Sequence, residues 1–583
     1  MQSNVLNRFE ITRILKKVGP FILLAVLIWV AHFWHSADFG LYEDDYNMVS
    51  RGMAMSGQEL WKTISAAFLR FEGGKPFHAS IVYLLSFLGS KLGGLTVLYW
   101  IGYLFVTLNA FLFYMLLKRV ASNSFAFLGA IAYALFSADT TQAFLTHALG
   151  LQPSLTFLLL AIHCYISERR FLSYLLASLT LFTYEVTFPV FFAAPLLARK
   201  WNKQTLKVLV GHGLVLGSIL ATFVVIRYAI GETRVSNLSF PEIITVPVTH
   251  MVQGPFMSVR SYIHRPYQTL RALNGRLALI IVTAFPAFML ILIRAKIEWK
   301  MNIIGVATFI RKAYREGLAD SIRNSFIPLQ LPSSLIHVIK LGISGLVMLI
   351  LAYPFAFTVS PLSVYGRNTR VHFAAIIGAT IICACICWLI INLAGSVKIK
   401  WIGAIVVAVF FSLMLGFGFV VQDDYRRAWV LQKEFWSDVI PLIPDMEEGT
   451  VVLVDPSRLQ DTLHIGANFW NMPRVLDQIY RYPAEWVESP RVYRLVPDWQ
   501  KHIVTEGGQF QLNASTTFAP PSTFKNVHNS NVVLIETSTG QPVRRTEPLV
   551  IDGVEFPLKR LETIGPPRFE EGYLFDHLIQ VPD

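Results

Sequence analysis

Long apolar segments alternate with short polar ones along most of the chain. A helix crosses the hydrocarbon core of a bilayer with roughly 20 apolar residues, or with fewer where neighbouring helices or interfacial side chains help. On that measure the sequence predicts about eleven crossings, which lie at 20–35, 94–117, 124–137, 153–166, 171–184, 187–198, 206–228, 276–293, 341–357, 373–395 and 401–421. The pattern predicts an α-helical polytopic membrane protein.

The character of the chain changes after about residue 421. Residues 422–583 gain Asp, Glu, Pro and Trp and lose the long apolar runs. Their pattern predicts a helix from Tyr425 to about Ile440 and strands at Thr450–Asp455 and Asn531–Glu536. The sequence therefore predicts two domains, a membrane module over 1–421 and a C-terminal α/β domain, which we interpret as a docking or covering module.

Composition agrees with a membrane protein. Of the 583 residues, 54% are hydrophobic and 15% are charged, which is not the composition of a soluble protein. A net charge of +12 accompanies no nucleic-acid-binding motif, so we expect no nucleic acid partner. The four cysteines lie inside apolar runs, which excludes a disulfide framework and a CxxC metal site.

The placement of basic residues predicts the orientation. With a cytoplasmic N-terminus, the basic clusters between predicted crossings all fall on the cytoplasmic side, where Lys and Arg concentrate. These clusters are 118–119, 169–170, 199–207, 294–300 and 398–400. We therefore expect a multi-pass plasma (inner) membrane protein whose tail is extracytoplasmic or periplasmic. The stretch 301–335 fits an amphipathic helix on the inner surface equally well as a solvated loop.

Three consecutive carboxylates, Glu43, Asp44 and Asp45, follow the first predicted crossing within an outer loop at 36–93. Such neighbours raise one another's pKa unless cations or hydrogen-bond donors offset the repulsion. They suit a divalent metal site, a general base or a solvated loop. At most two of them can address one site, because neighbouring side chains point in different directions.

Further polar residues lie at the predicted outer boundary. Gly74–Lys75–Pro76 precedes His78, and Pro76 fits the first turn of a helix over 76–92 whose start could face an anion. The outer turns carry Asp139, His147 and Glu185. A carboxylate in an apolar stretch is a functional-site hypothesis, and a helix cap or a partner of an arginine is the alternative for Glu185. For Asp139 and His147 we favour a purely structural role over a functional one.

Outer arginines oppose the positive-inside trend and need an explanation. Arg260 and Arg265 belong to a second predicted outer loop at about 229–274, and Arg367 and Arg370 follow the ninth crossing. Guanidinium groups match phosphate oxygens bidentately. Snorkelling or interfacial anchoring is the alternative for any one of them.

In this layout the chain resembles the GT-C superfamily of integral membrane glycosyltransferases. The resemblance rests on Glu43-Asp44-Asp45-Tyr46 soon after the first helix, on Gly74-Lys75-Pro76, on the many hydrophobic helices and on the C-terminal outer domain. It implies a GT-C-like fold and a sugar donor carried on a polyprenyl phosphate. The acceptor would be a hydroxyl of a cell-envelope glycan, a lipid or a protein.

The resemblance also implies roles for the candidate residues. Asp44, with Asp45 or Glu43 beside it, would be the catalytic base of an inverting transfer. The donor phosphate would meet Lys75, Arg367, Arg370, Arg265 and Arg260. Tyr46, His78, Glu185 and His147 would bind or support the substrate, and Asp44 with Asp139 would hold a divalent cation, Mg or Mn.

The sequence departs from the family pattern in two places. It has Glu-Asp-Asp in place of the common Asp-Glu pair, and Lys75 stands where related proteins often have arginine. Two other classes remain open: a transporter or flippase of a lipid-linked saccharide, for which pseudo-symmetric halves are typical, and a non-catalytic assembly factor for an envelope polymer.

Overall fold

The computed structural model describes most of the chain. The described residues are 18–69, 74–198, 201–230, 240–294, 333–357, 359–392, 397–455, 462–466, 472–496, 498–502, 505–506, 509–518, 523–538, 541–551, 554–560 and 569–579. The predicted surface segment 301–335 falls almost wholly outside them.

Helices make up the N-terminal three quarters of the described chain. The first eight are α1 (Val18–Asp38), α2 (Asp45–Ala54), α3 (Gly57–Leu69), α4 (Pro76–Leu92), α5 (Leu95–Val120), α6 (Asn123–Ala134), α7 (His147–Ile166) and α8 (Arg170–Thr183). The next seven are α9 (Glu185–Ala198), α10 (Lys203–Ala229), α11 (Phe240–Arg271), α12 (Gly275–Arg294), α13 (Ser333–Ile350), α14 (Ile376–Asn392) and α15 (Val397–Val439).

Within the described residues, six helices are long and apolar enough to cross a membrane: α1, α5, α7, α10, α12 and α15. Five further apolar helices are shorter: α6, α8, α9, α13 and α14. Together these helices indicate a membrane protein. Each predicted crossing is helical over most of its length. The number of crossings, about eleven, stays a prediction, because the five shorter helices do not have the length that spanning a membrane requires.

Close contacts between helices depend on small residues. A Cβ on Gly378 of α14 would come within 2.4 Å of the backbone of Leu349 in α13. On α15, a Cβ at Gly418 would come within 2.4 Å of the carbonyl oxygen of Ala31 in α1. Backbones that approach this closely gain dispersion contacts, which contribute to helix association in a membrane.

The region predicted as a second outer loop, 229–274, contains instead the 32-residue helix α11. The sequence pattern did not predict this helix, because three prolines and several polar residues interrupt the apolar runs of the region; its placement outside the membrane stays a prediction. The helix is amphipathic, and its buried face carries Ser258, Ser261, Arg265 and Thr269.

The last predicted crossing and the helix predicted from Tyr425 form one continuous helix, the 43-residue α15. At 1.5 Å per residue this helix is about 65 Å long, roughly twice the thickness of a hydrocarbon core. It therefore extends from the bundle into the C-terminal region, and no break in the helix marks the predicted boundary at 421.

The C-terminal region is rich in strands. They are β1 (Val451–Val454), β2 (Tyr480–Arg481), β3 (Arg491–Leu495), β4 (Thr505–Glu506), β5 (Gln509–Gln511), β6 (Thr517–Phe518), β7 (Asn526–His528), β8 (Val532–Ser538), β9 (Gln541–Arg544), β10 (Leu549–Ile551), β11 (Val554–Phe556) and β12 (Glu570–Glu571). Two short helices accompany them, α16 (Leu476–Ile479) and α17 (Phe575–Leu578). Both strands predicted from the sequence are confirmed, as β1 and β8.

The main sheet has the order β6-β3-β1-β8-β9, with β1 parallel to β3 and to β8 and with antiparallel edge strands. Side chains alternate between the faces of a strand. Val452 and Val454 of β1 therefore join the apolar core that continues into the helical bundle, whereas Val451 and Leu453 join a separate core on the other face. The sheet is thus packed directly on the helical part of the protein.

Candidate functional site

Asp45 anchors the start of α2 to the bundle. Its carboxylate is fully buried and accepts hydrogen bonds from the backbone N–H groups of Tyr42 (3.2 Å), Leu145 (3.3 Å) and Thr146 (2.7 Å). Burial raises the pKa of this carboxyl to about 7, although the hydrogen bonds oppose the shift. Asp45, predicted among the catalytic acids, therefore ties the first loop to the turn before α7 and positions its neighbour.

Asp44 is the partly exposed acid of the motif. It is the N-cap residue of α2, its side chain is 27% exposed, and its Oδ2 accepts a hydrogen bond from Nη2 of Arg367 at 2.5 Å. Nη1 of Arg370 lies 3.5 Å from the same oxygen, and Nη1 of Arg367 lies 3.8 Å from Oε2 of Glu43. We call these four residues the Asp44 cluster, and it joins two segments that are more than 300 positions apart.

The backbone of Glu43 is in the left-handed region, with φ of 49°. This conformation is uncommon for a residue other than glycine and costs free energy. It turns the chain so that Asp44 and Asp45 can begin α2 while Glu43 faces Arg367. The local cost is offset by the hydrogen bonds and ion pairs of the acidic motif.

A short 3₁₀ helix, Arg367–His372, carries both arginines of the cluster. Gly366 precedes it with φ of 66°, which glycine adopts without strain. Oγ1 of Thr369 accepts a hydrogen bond from the backbone N–H of Thr140 at 3.1 Å, which fixes the helix against the bundle. Nε of Arg367 is buried and lacks a hydrogen-bond partner among the described residues, so this guanidinium retains a donor for a ligand.

Lys75 and Glu185 form a second charged pair. Nζ of Lys75 lies 3.3 Å from Oε2 of Glu185 and 4.3 Å from the centroid of the Tyr184 ring. Lys75 is the N-cap residue of α4, and Pro76 occupies the first turn of that helix, as the sequence predicted. Glu185 thus has a cationic partner, a lysine in place of the arginine that the alternative interpretation named.

The imidazole of His78 lies within electrostatic range of Lys75, Glu185 and Asp44, so it connects the two charged groups. A Cβ on Gly150 would come within 2.3 Å of the ring, which shows that only glycine leaves room for it. Burial and then the charge of Lys75 lower the pKa of His78 to about 4. The ring is therefore neutral at physiological pH.

A chain of buried hydrogen bonds lies behind the cluster. Oδ1 of Asp139 accepts from the backbone N–H of Thr141 at 2.8 Å and from its hydroxyl at 2.6 Å. The same hydroxyl oxygen lies 2.7 Å from Nδ1 of His147. Burial raises the pKa of Asp139, while the bonds from Thr141 and the charge of Arg370 oppose that shift. His147 lies within electrostatic range of Arg367 and Arg370.

The other two predicted phosphate ligands lie outside the cluster. Arg265 is buried, and its guanidinium donates to the carbonyl oxygens of Ser137 (3.2 Å) and Val364 (2.7 Å) and to Oε1 of Gln268 (2.8 Å). These contacts are structural. Arg260 is exposed on α11, and among the described contacts none joins it to the cluster. A role for either in binding donor phosphate stays a prediction.

Helix α15 supports the acidic loop from behind. Oη of Tyr46 donates a hydrogen bond to Oε1 of Gln432 at 2.7 Å, and Oη of Tyr42 donates to the carbonyl oxygen of Tyr425 at 2.8 Å. Tyr46, predicted to bind or support the substrate, is fully buried by these contacts. It therefore holds the loop in place.

Sequence reasoning missed the contribution of the C-terminal region. Nδ1 of His464 lies 2.8 Å from Oδ2 of Asp424 in α15, and the carbonyl oxygen of His464 accepts a long hydrogen bond from Thr140 (3.4 Å). Thr140 also binds Thr369, next to Arg370. No motif spacing predicts this pair. The acidic Asp424 just after an apolar run is the one sequence signal that pointed to it.

The donor set at Asp44 does not fit a divalent cation as arranged. Its Oδ2 faces two guanidinium groups, and Oδ1 of Asp139 faces Thr141. Among the described residues, no group of three or more His, Cys, Asp or Glu side chains converges as metal ligands do. The predicted Mg or Mn site stays a prediction, and no chemical step below depends on it.

No protein-family model matches the chain, and comparison with curated proteins and with solved structures gave no significant match. The resemblance to the GT-C superfamily stays a prediction that rests on the residues quoted for it. What the structure adds is proximity: Glu43, Asp44, Lys75, His78, His147, Glu185, Arg367 and Arg370 lie in one electrostatically coupled group.

Proposed function

We propose that the protein is an inverting glycosyltransferase that moves a sugar from a polyprenyl-phosphate donor to an acceptor hydroxyl at the outer face of the membrane. The observation that carries this proposal is the partly exposed carboxylate of Asp44 held directly by Arg367 and Arg370. A base and two phosphate-matching cations thereby share one site at the end of a bundle of apolar helices.

Asp44 is the general base in this reaction. It takes the proton of the acceptor hydroxyl while that oxygen forms a bond to the anomeric carbon of the sugar. The bond from the anomeric carbon to the phosphate oxygen breaks on the opposite face, so the configuration inverts. The two electrons of that bond leave with the polyprenyl phosphate, whose negative charge grows in the transition state.

Cations stabilise the departing phosphate. Arg367 uses Nη2 to orient Asp44. Its Nε, which has no partner among the described residues, and the guanidinium of Arg370 would donate to phosphate oxygens. Lys75 adds a positive charge from the start of α4. Its partner Glu185 and the ring of Tyr184 keep that ammonium group in position.

Release of polyprenyl phosphate tests the proposal. The purified protein in nanodiscs is incubated with a panel of polyprenyl-phosphate sugars and candidate acceptors, and the released lipid phosphate is measured. We expect Asp44→Asn to lower release by about 100-fold or more, the range typical of a lost general base. Asp38→Asn is the matched control, since Asp38 is an exposed acid at the end of α1 paired with Arg426, and it should leave the rate unchanged.

The same assay separates the other two classes. A flippase would move the donor across the bilayer of a proteoliposome without releasing lipid phosphate, and an assembly factor would do neither. Equal release by Asp44→Asn and the unsubstituted protein would overturn the assignment of the base. If no donor released lipid phosphate but the protein moved a donor across the bilayer, the protein would be a transporter and not a transferase.

A further inference from the structure

Helix α11 carries an exposed apolar row along its length. Its members recur about every four residues, as expected of one face of a helix. The row consists of Ile244, Val248, Val252, Phe256, Ile263, Tyr267 and Leu270. Val252, Phe256 and Ile263 are 70%, 66% and 76% exposed, so this surface has no cover within the described protein.

The opposite face of α11 is fixed against the bundle. Gly254 lies against the ring of Tyr353, where a Cβ would come within 2.4 Å of the ring atoms. Oγ1 of Thr269 donates a hydrogen bond to the carbonyl oxygen of Leu413 at 2.9 Å. Together with the buried Arg265, these contacts leave the helix no freedom to turn its apolar row inward.

Both neighbours of α11 in the chain reach the end of the bundle that holds the Asp44 cluster. Arg227, near the end of α10, lies against Gly74 of the first loop, and Arg276, at the start of α12, pairs with Asp423. Along its own length α11 contacts residues near that same end, from Ala356 to Val364. The helix therefore lies near this end of the bundle, and Tyr262 and Thr269 reach Phe410 and Leu413 inside the last predicted crossing.

The flanking spans show what lies beside the row. In α10 and α12 only 17% and 22% of the most apolar window is buried inside the protein, against 72% in α7. Their exposed apolar surfaces are those of helices that face lipid, and α11 joins the two helices. Its exposed row has the same apolar character as the exposed surfaces of these two helices.

A cation interrupts the row. Arg260 occupies the next position after Phe256 at the same four-residue spacing and is exposed. Beside it, Arg260, His264 and Arg265 line a shallow depression, together with His372 and Ser363. A positive group among apolar side chains at the bilayer surface matches a lipid whose tails contact the row and whose phosphate meets the guanidinium.

We infer that α11 is an interfacial helix embedded in the membrane by its apolar row, and that Arg260 binds the phosphate of a phospholipid headgroup there. The site is separate from the Asp44 cluster and does not depend on the proposed glycosyl transfer. The inference gives α11 a function that is independent of the Asp44 cluster.

Spin-label accessibility tests the membrane contact. Val252→Cys and Ile263→Cys are labelled with a nitroxide in the full-length protein in nanodiscs of phosphatidylethanolamine and phosphatidylglycerol. The unsubstituted protein gives the background, because its described thiols are buried or half-buried. Leu214→Cys on α10 is the lipid-facing control, and Val487→Cys in the strand-rich region is the aqueous control, both at exposed positions.

We expect both α11 labels to match Leu214→Cys, with high accessibility to oxygen and low accessibility to a water-soluble nickel chelate. A signature like that of Val487→Cys would show that the row faces water. Low accessibility to both reagents would show that protein covers it, as in a contact with a second copy. Either of these results would overturn the inference.

Lipid retention tests the headgroup site. Native mass spectrometry after detergent extraction measures the phosphatidylglycerol bound to Arg260→Gln and to Arg271→Gln, an exposed cation near the end of the same helix. Loss of one phosphate contact should weaken retention by roughly tenfold in Arg260→Gln, with little change in Arg271→Gln. Equal retention by the two variants would overturn the phosphate site. The contact of α11 with the membrane would still be decided by the spin-label experiment.

Discussion

Two groups of acids and arginines lie at the same end of the bundle and differ in their surroundings. The Asp44 cluster joins the first loop to the 3₁₀ helix, and its side chains are 15–27% exposed. The second group, which we call the Asp423 network, joins α1, α12 and α15 through ion pairs of 3.0–3.6 Å between side chains that are 40–54% exposed. It consists of Asp38, Arg276, Asp423 and Arg426.

The difference lies in the cost of removing charge from water. Exposed ion pairs contribute about 0–1 kcal/mol, since water and salt screen them. Partly buried charges pay for desolvation and persist only with close partners. The Asp423 network is therefore what a protein surface ordinarily carries, whereas the Asp44 cluster is expensive to maintain and is the better candidate for chemistry.

Removal of one arginine from each group should give the largest contrast. Arg367→Ala leaves Glu43 and Asp44 without their nearest cation, and we expect it to lower the free energy of unfolding by roughly 2 kcal/mol, less than for a fully buried pair. Arg426→Ala should cost less than about 1 kcal/mol. Thermal unfolding in detergent measures both, and equal losses would remove the distinction between the two groups.

Crowding around His78 offers a second test of how rigid the buried group is. Gly150→Ala places a methyl group against the His78 ring, so we expect a loss of about 1–3 kcal/mol from overpacking and a matching fall in lipid-phosphate release. Gly217→Ala on α10 has no atom within 4 Å of the new Cβ and should be neutral or slightly stabilising. A tolerated Gly150→Ala would mean that the ring has room to move.

The pH dependence of stability sharpens the comparison further. Burial raises the pKa of Asp45 to about 7, so between about pH 4 and pH 7 the folded protein holds a proton that the unfolded chain has released. The contribution of Asp45 to the free energy of unfolding therefore falls as pH rises through that window, by at most about 1.4 kcal/mol per pH unit.

Asp45→Asn keeps the size of the side chain and has no titratable group, so its unfolding curve should lack that fall. Thermal unfolding of the unsubstituted protein and of Asp45→Asn from pH 4 to pH 8 measures the difference. The exposed Asp423→Asn is the control and should follow the unsubstituted protein. Parallel curves for Asp45→Asn and the unsubstituted protein would show that the carboxyl is ionised throughout.

Much of the helical architecture was predictable, because apolar length is a local property of the sequence. The starts of α4 and α10 lie at or within three residues of their predicted positions, and β1 and β8 follow runs of branched apolar residues. Helix α11 was not predictable in this way. Its apolar residues recur about every fourth position among prolines and polar residues, so a search for continuous apolar segments does not detect it.

The residues of the site were easier to predict than the role that each of them has in the folded protein. The sequence placed Glu43, Asp44 and Asp45 in one motif, but which of the three is buried depends on the left-handed turn at Glu43 and on donors from the turn before α7. Arg367 and Arg265 looked alike as outer arginines. Their difference arises from carbonyl oxygens that come close only after folding.

Helix α15 makes the strand-rich region and the acidic loop mechanically one piece. The helix runs without a break from the bundle to Val439, and Tyr425 and Gln432 on it hold the two tyrosines that flank the acidic motif. If a partner bound to the C-terminal sheet tilted α15, the position of Asp44 would change with it. Movement of the C-terminal region would therefore be transmitted through α15 to the two tyrosines that flank the proposed base.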